Sequence, residues 1–350
     1  MRLLDKVAKC TGSFRLALGF ETDRIFEVTT ASRYAASVAN CPLRFVLGDD
    51  LTRASAQLAF ADGARLAGCL DLLHVPATEL WVEWNDEVHK SVIYESGSAM
   101  EFDAGAPGRA VGVFLRGASD GLSAVARTFW ADTGAADPEV IISPIETHID
   151  LRGGFSEVLD VQQMLSGGLS AISDSGDQWI STLLECVRFR FDDNWAAYYR
   201  AAAIDPHTRK QVVHSSLAAV ARDTPMLLAF FLLLSANNAT RTIPVCRSSI
   251  NRKRRARGRE GLLDHIEVHA TLDVNSNTSS HEEPRAGRRP SRLHHVRGHL
   301  VRRDNCVFWR TPHLRGSAIQ GMVQSRTVFL SFARRRPHAP RTVLCPPPRT

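Results

Sequence analysis

Between Leu293 and Arg303 the chain reads LHHVRGHLVRR, gathering His294, His295, Arg297, His299, Arg302 and Arg303 around Gly298. Guanidinium groups make paired hydrogen bonds to phosphate oxygens, and a glycine lets backbone approach a ligand closely. Imidazole rings and Trp309 offer flat faces on which unpaired bases stack. These residue types point to a polyanion grip made by His294, Arg297, His299, Arg302 and Trp309, with Gly298 as a backbone requirement. Three other readings use the same residues. His294, His299, Cys306 and His313 carry metal-ligand side chains, but their H-x4-H-x6-C-x6-H spacing matches no common zinc pattern. His294 or His299 titrates near neutrality and is suited to acid–base cleavage of RNA, although the sequence supplies no identifiable partner. The last reading is a solvated basic edge strand whose histidines bond locally.

A second basic run lies upstream. Residues 250–260 read INRKRRARGRE, and six of the eight residues from Arg252 to Arg259 are positive. Arg252, Lys253, Arg254 and Arg255 are candidate phosphate or peptide contacts, because binding there would release counterions from a nucleic acid. A solvated linker, or a clamp on acidic parts of the same chain, is the alternative. Asp192 and Asp193 are adjacent, so their side chains diverge, and they read as a helix N-terminus. There is no GxSxG, GxGxxG or Walker-A pattern, and no catalytic constellation is identified. A binding protein without cofactor or metal is therefore expected.

The charge is divided unevenly. Residues 1–240 hold 20 Lys and Arg against 30 Asp and Glu, a net −10, while residues 241–350 hold 23 against 7, a net +16. Such an asymmetry suggests a polyanionic partner for the C-terminal region or attraction between the halves. Arginine supplies 38 of the 43 basic residues, as a GC-rich genome would produce, but codon bias does not explain why positive charge collects after residue 240. The 350 residues are 44% hydrophobic and 23% charged, which excludes collagen-like, coiled-coil and wholly disordered chains. Seven cysteines without a CxxC suggest free thiols in a reducing cytoplasm. The N-terminus has no uninterrupted apolar run of the secretory kind, and Met226–Leu234 is shorter than the roughly 20 residues of a bilayer span. The expectation is a cytoplasmic protein with no membrane partner.

The elements that must position these residues read as α+β. Leu3 to Val7 is a short amphipathic start. Residues 51–73 show a helical face of Ala59, Gly63, Leu66, Leu70 and Leu73, closed by Pro76. Strands are predicted at Leu80–Trp84, Ser91–Tyr94 and Ala110–Leu115, with another near Val140–Ile142; Trp81 and Trp84 belong to the core. Helices are predicted near Trp179–Val187, Trp195–Ala203 and Gln211–Arg222. A new helix should start where Thr224 caps and Pro225 takes the first turn, stopping at Asn237 and Asn238. The chain then divides into an acidic α+β body over 1–240, a basic linker or flexible loop over 241–292, a small basic β-containing region over 293–332, and a disordered tail over 333–350.

The order of C-terminal segments carries a resemblance. PMLLAFFLLLSANNATRTI, SSINRKRRARG, a polar gap, RRPSRLHHVRGHL and VFWRTPHLRG follow one another over roughly residues 225–321. This resembles the type V-A anti-CRISPR family: an apolar helix, an Asn-basic run, a spacer, an H-x-x-R-G-H motif, a V-x-W step and a proline-containing close. His294, Arg297, Gly298, His299, Trp309 and Pro312 fall on the motif positions. Val296 stands where relatives have an arginine, a following basic residue is displaced to Arg302, and ANNAT replaces an acidic-proline turn. The resemblance implies a phage- or plasmid-borne inhibitor of host CRISPR immunity. It would act by binding a nascent effector chain, its mRNA or the ribosome, and so lower effector production. The alternative is an RNA-binding or His-dependent ribonuclease-like protein of a mobile element, unrelated to CRISPR.

Overall fold

The computed structural model describes residues 2–9, 15–16, 31–95, 108–133, 140–152, 186–192, 206–271, 292–296, 299–303, 306–310, 313–315 and 317–322. The expectations for residues 179–185, 195–203, 275–291 and 333–350, and for Arg297 and Gly298, lie outside them. In chain order the elements are α1 (Leu3–Ala8), β1 (Arg15–Leu16), α2 (Ala31–Asn40), β2 (Leu43–Leu47), α3 (Asp49–Phe60), α4 (Gly63–Ala67), β3 (Glu79–Asn85) and α5 (Asp86–Glu95). There follow β4 (Arg109–Gly117), β5 (Ser123–Asp132), β6 (Ile141–Asp150), β7 (Val187–Phe191), α6 (Pro206–Ser235), β8 (Thr240–Val245), α7 (Ser248–Arg255) and β9 (His265–Ala270). The last strands are β10 (Arg292–Val296), β11 (His299–Arg303), β12 (Cys306–Arg310), β13 (His313–Arg315) and β14 (Ser317–Met322).

The protein is α+β. A mixed nine-stranded sheet runs β1-β6-β5-β4-β3-β2-β9-β8, with β7 also on β6. β3 to β7 pair antiparallel where they meet, whereas β2 lies parallel to both β3 and β9. Period-two alternation sends successive side chains to opposite faces. On β4, Phe114 meets Tyr34 of α2 edge-on at 6.4 Å, while Val113 lines a recess beside Asp223 and Leu227 of α6. The same rule puts Gly112 on the α1 side, where an added Cβ would sit 2.2 Å from Cζ2 of Trp81; only glycine lets the indole lie flat there. Helices therefore cover both faces, with α3 and α6 packed together on one of them.

Buried Glu83 on β3 fastens α1 to the sheet. Its two carboxylate oxygens accept the Leu3 and Leu4 amides at 3.1 and 2.8 Å, the first orphan donors of that helix. Burial pushes this carboxyl up, against the lowering effect of those amides.

Several expectations are corrected. Ser91–Tyr94 is not a strand but the second half of α5. Asn85 accepts the Glu87 amide at 3.1 Å and Asp86 and Glu87 occupy the first turn, so helix-start chemistry outweighs the β-propensity of Val92 and Ile93. No helix starts at Thr224: α6 runs unbroken through Pro225, and the Thr224 hydroxyl donates backwards to the Val220 carbonyl at 2.8 Å. Val187 opens a strand rather than closing a helix. The helix over 51–73 breaks after Phe60, where the Ala61 and Asp62 amides both turn back to the Gln57 carbonyl. Asn238, at φ 62°, follows the end of α6 as the stop signal suggests.

The largest correction concerns 241–292. Residues 240–270 are not a linker but β8, α7 and β9, an edge of the main sheet. Their charge hides the apolar face: Val268 of β9 is fully buried against β2. The region 293–332 is not one piece either. The chain forms two compact units, Met1–Val274 with Gly298–Thr311, and Asn275–Arg297 with Pro312–Thr350. In the second, β10 pairs antiparallel with β13 and parallel with β14. In the first, the β11–β12 hairpin joins the body: the Asn237 amide donates to the Val307 carbonyl, and Leu300 and Val307 are buried.

Among the described residues, Ser216–Ser235 of α6 is long and apolar enough to cross a membrane; 72% of that window is buried inside the protein, as in a core helix. Among the described residues, Cys41, Cys69, Cys246 and Cys306 are free thiols.

Candidate polyanion surface and a buried acid–histidine cluster

The helix α7 carries Arg252, Lys253, Arg254 and Arg255 in its last turn, where positive charge complements the carbonyl end of the helix. It bridges β8 and β9 at the sheet edge. The Asn251 side-chain amide fixes the return chain, donating to the Leu262 carbonyl at 2.8 Å and accepting the Leu262 amide at 2.7 Å. Gly258, at φ 65°, makes the left-handed step that ends the helix. Arg252, Lys253 and Arg255 are exposed, and Arg254 is half-buried with its Nε on the Glu260 carbonyl. None of the four makes an ion pair with a described residue. They are not a clamp on the described part of the acidic body.

Of the other predicted residues, His299 and Arg302 lie on β11 and Trp309 on β12, apart from α7 in the chain, and Arg297 and Gly298 lie outside the described residues. His294 belongs to the second unit, in register with Arg315. His299 starts β11 opposite Arg310. Arg302 is a bidentate partner of Asp71, with both hydrogen bonds at 2.7 Å. Trp309 is half-buried and packs against the core. The hairpin register sets Cys306 opposite Arg303, four residues along from His299, so at about 3.3 Å per residue the two are too far apart to share a metal. Asp192 accepts a hydrogen bond from buried Arg127, which also binds Glu146, the Tyr34 hydroxyl and the Ser143 carbonyl; Asp193 lies outside the described residues. That network satisfies itself and is structural. Burial would raise Glu146, but His148 and the Arg127 charge outweigh it and hold the carboxyl at about 2.

A second constellation lies beyond the sequence-based expectations. Asp86 opens α5, His89 follows one turn later, and Asp223 faces them from α6. His89 Nδ1 lies 3.7 Å from Asp86 Oδ1 and 3.5 Å from Asp223 Oδ1. All three are buried, with His89 at 1% exposure. Phe60 and Trp84 wall the imidazole at 5.7 and 6.5 Å between ring centres. Both ring nitrogens of His89 and Asp223 Oδ2 have no hydrogen-bond partner among the described residues. Lys90 Nζ holds the other oxygen of Asp86 at 2.7 Å. Burial pushes Asp223 up to about 7, against the attraction of His89. Burial also acts on Asp86, but His89 and Lys90 outweigh it and keep that carboxyl at about 2. The sequence carries two signals for this cluster: a D-x-x-H spacing, and a carboxylate on the buried stripe Val213, Leu217, Val220.

No family model, no curated protein and no solved structure matches the chain.

Proposed function

We propose that this chain is a binding protein of a mobile element that lowers production of a CRISPR effector nuclease by gripping the effector's mRNA or the ribosome that translates it. The observation that carries this reading is the basic quartet Arg252–Arg255 on α7, three of them exposed and none on a carboxylate among the described residues. Unneutralised cations on a firm helix attract phosphate in proportion to the counterions they displace. The order of C-terminal segments directs the reading to CRISPR immunity, and the −10 balance of residues 1–240 suits a basic nascent peptide. Ultraviolet crosslinking in cells tests it. RNA or ribosomal material should come down with the parent chain and be lost when Arg252, Lys253, Arg254 and Arg255 are all alanine. Recovery of neither, or equal recovery with the variant, overturns the proposal. Purified protein that cleaves RNA, with cleavage abolished in His299→Ala, would make the chain a nuclease instead.

A further inference from the structure

We propose that Asp86, His89 and Asp223 bind one divalent transition-metal cation of the zinc kind, which ties α5 to α6. The three donor atoms lie within 4.8 Å of one another. The separations of 3.5 and 3.7 Å from His89 Nδ1 are too long for charge-assisted hydrogen bonds, which close to about 2.7–2.9 Å. They match the roughly 3.4 Å edge of a tetrahedron whose bonds are about 2.0–2.1 Å. The donors thus stand around a shared point rather than on one another.

Unmet bonding capacity points the same way. The His89 ring is almost fully enclosed, yet neither nitrogen has a partner among the described residues, and Asp223 Oδ2 has none there either. Buried polar atoms are ordinarily paired, and Lys90 is an ion-pair partner for Asp86 but not for Asp223 or His89. A cation bonded to Nδ1 and one oxygen of each aspartate would satisfy all three. Lys90 bonds only Oδ2 of Asp86, which leaves Oδ1 for the ion and orients the carboxylate from outside. The imidazole favours zinc-type ions over magnesium or calcium, which prefer oxygen donors. A fourth ligand can be a water in the recess beside Asp223, where Thr128, Thr147 and Thr224 offer hydroxyls. The Lys90 side chain is 39% exposed, so this edge of the cluster reaches solvent.

The test uses the full chain without a polyhistidine tag. Metal-stripped protein is titrated with ZnCl2, with MgCl2 in parallel, and with CoCl2 to read the visible bands of tetrahedral coordination. Zinc should raise the melting temperature and saturate at one ion, magnesium should do neither, and cobalt should give the bands. Asp223→Asn preserves shape and removes one carboxylate from the pair. The stripped variant should melt no lower than the parent, and its zinc affinity should fall at least about tenfold. His89→Gln should lose the cobalt bands. The inference is overturned if the folded parent shows neither a melting shift nor cobalt bands at saturating metal, which would leave a proton-sharing triad. It is equally overturned if Asp223→Asn binds zinc as tightly as the parent, since the ion would then sit on surface histidines.

Discussion

Arg302 and Asp71 form a two-pronged ion pair, Nη1 to Oδ1 and Nη2 to Oδ2, and Nη1 also reaches the Gly68 carbonyl at 2.7 Å. Hydrogen bonding from Arg302 holds the Asp71 carboxyl below its ordinary value. One of the arginines nearest the H-x-x-R-G-H motif is therefore committed to docking its own hairpin onto the loop after α4. The expected outcome of Arg302→Ala is faster amide exchange over residues 299–310 with RNA crosslinking unchanged. Asp71→Ala should behave alike, and the double variant should add little to either. A drop in crosslinking from Arg302→Ala alone would return that guanidinium to the ligand surface.

The α7 quartet predicts a salt signature. Removing one cation that touches a phosphate should lower the slope of log affinity against log salt by about 0.7–0.9. Arg252→Ala and Arg255→Ala should each do so, with melting temperatures preserved, because neither side chain is buried or paired with a described residue. Filter binding of a single-stranded RNA across a salt series measures it.

Gly112→Ala should destabilise the fold by about 1–3 kcal/mol, the range for an overpacked core. The Cβ would fall 2.5 Å or less from two atoms of the Trp81 indole and 3.1 Å from Leu3, so the ring and α1 must both shift. Urea unfolding followed by tryptophan fluorescence reads the destabilisation and the movement of the indole together.

Glu146 gives a pH dependence. Its carboxyl sits at about 2 in the folded chain against an ordinary 4.5, so its ionised form favours the fold. That contribution is complete above 4.5 and is lost as pH falls from 4.5 towards 2. Glu146→Gln should flatten the stability profile in this window and lower stability at neutrality, as measured by urea midpoints at successive pH values.

Pro225 lies inside α6 and has no N–H for the Ala221 carbonyl. Proline trails alanine by about 3 kcal/mol within a helix. Removing the pyrrolidine ring also sacrifices some of its packing, so the net gain is smaller. Pro225→Ala should raise stability by roughly 1 kcal/mol or more, visible as a higher urea midpoint.

The same residue shows where sequence reading succeeds and where it fails. Thr224-Pro225 is good helix-start chemistry, yet the apolar run on both sides, from Val213 to Leu233, packs as one rod, and burial outweighs the local signal. Leu80–Trp84 and Ala110–Leu115 are legible because short β-branched and aromatic runs between turn residues have few other uses. β9 is not, because His265, Glu267 and His269 mask Val268 in any reading by hydropathy. The four α7 cations are legible as candidates from charge density alone. The cluster at Asp223 is not, since one carboxylate in an apolar helix reads as an exception until Asp86 and His89 are brought beside it.

β9 is inserted between β2 and β8 rather than added at the far end of the chain's own N-terminal sheet. The Gly48 amide bonds the Val268 carbonyl, and Asp5 of α1 accepts the Leu263 amide. During synthesis, the flank of β2 has no permanent neighbour until more than two hundred further residues have left the ribosome. Until then it offers unsatisfied amides and carbonyls to any passing strand. A fragment ending near residue 240 should consequently aggregate, so the acidic half cannot serve as a soluble stand-alone reagent.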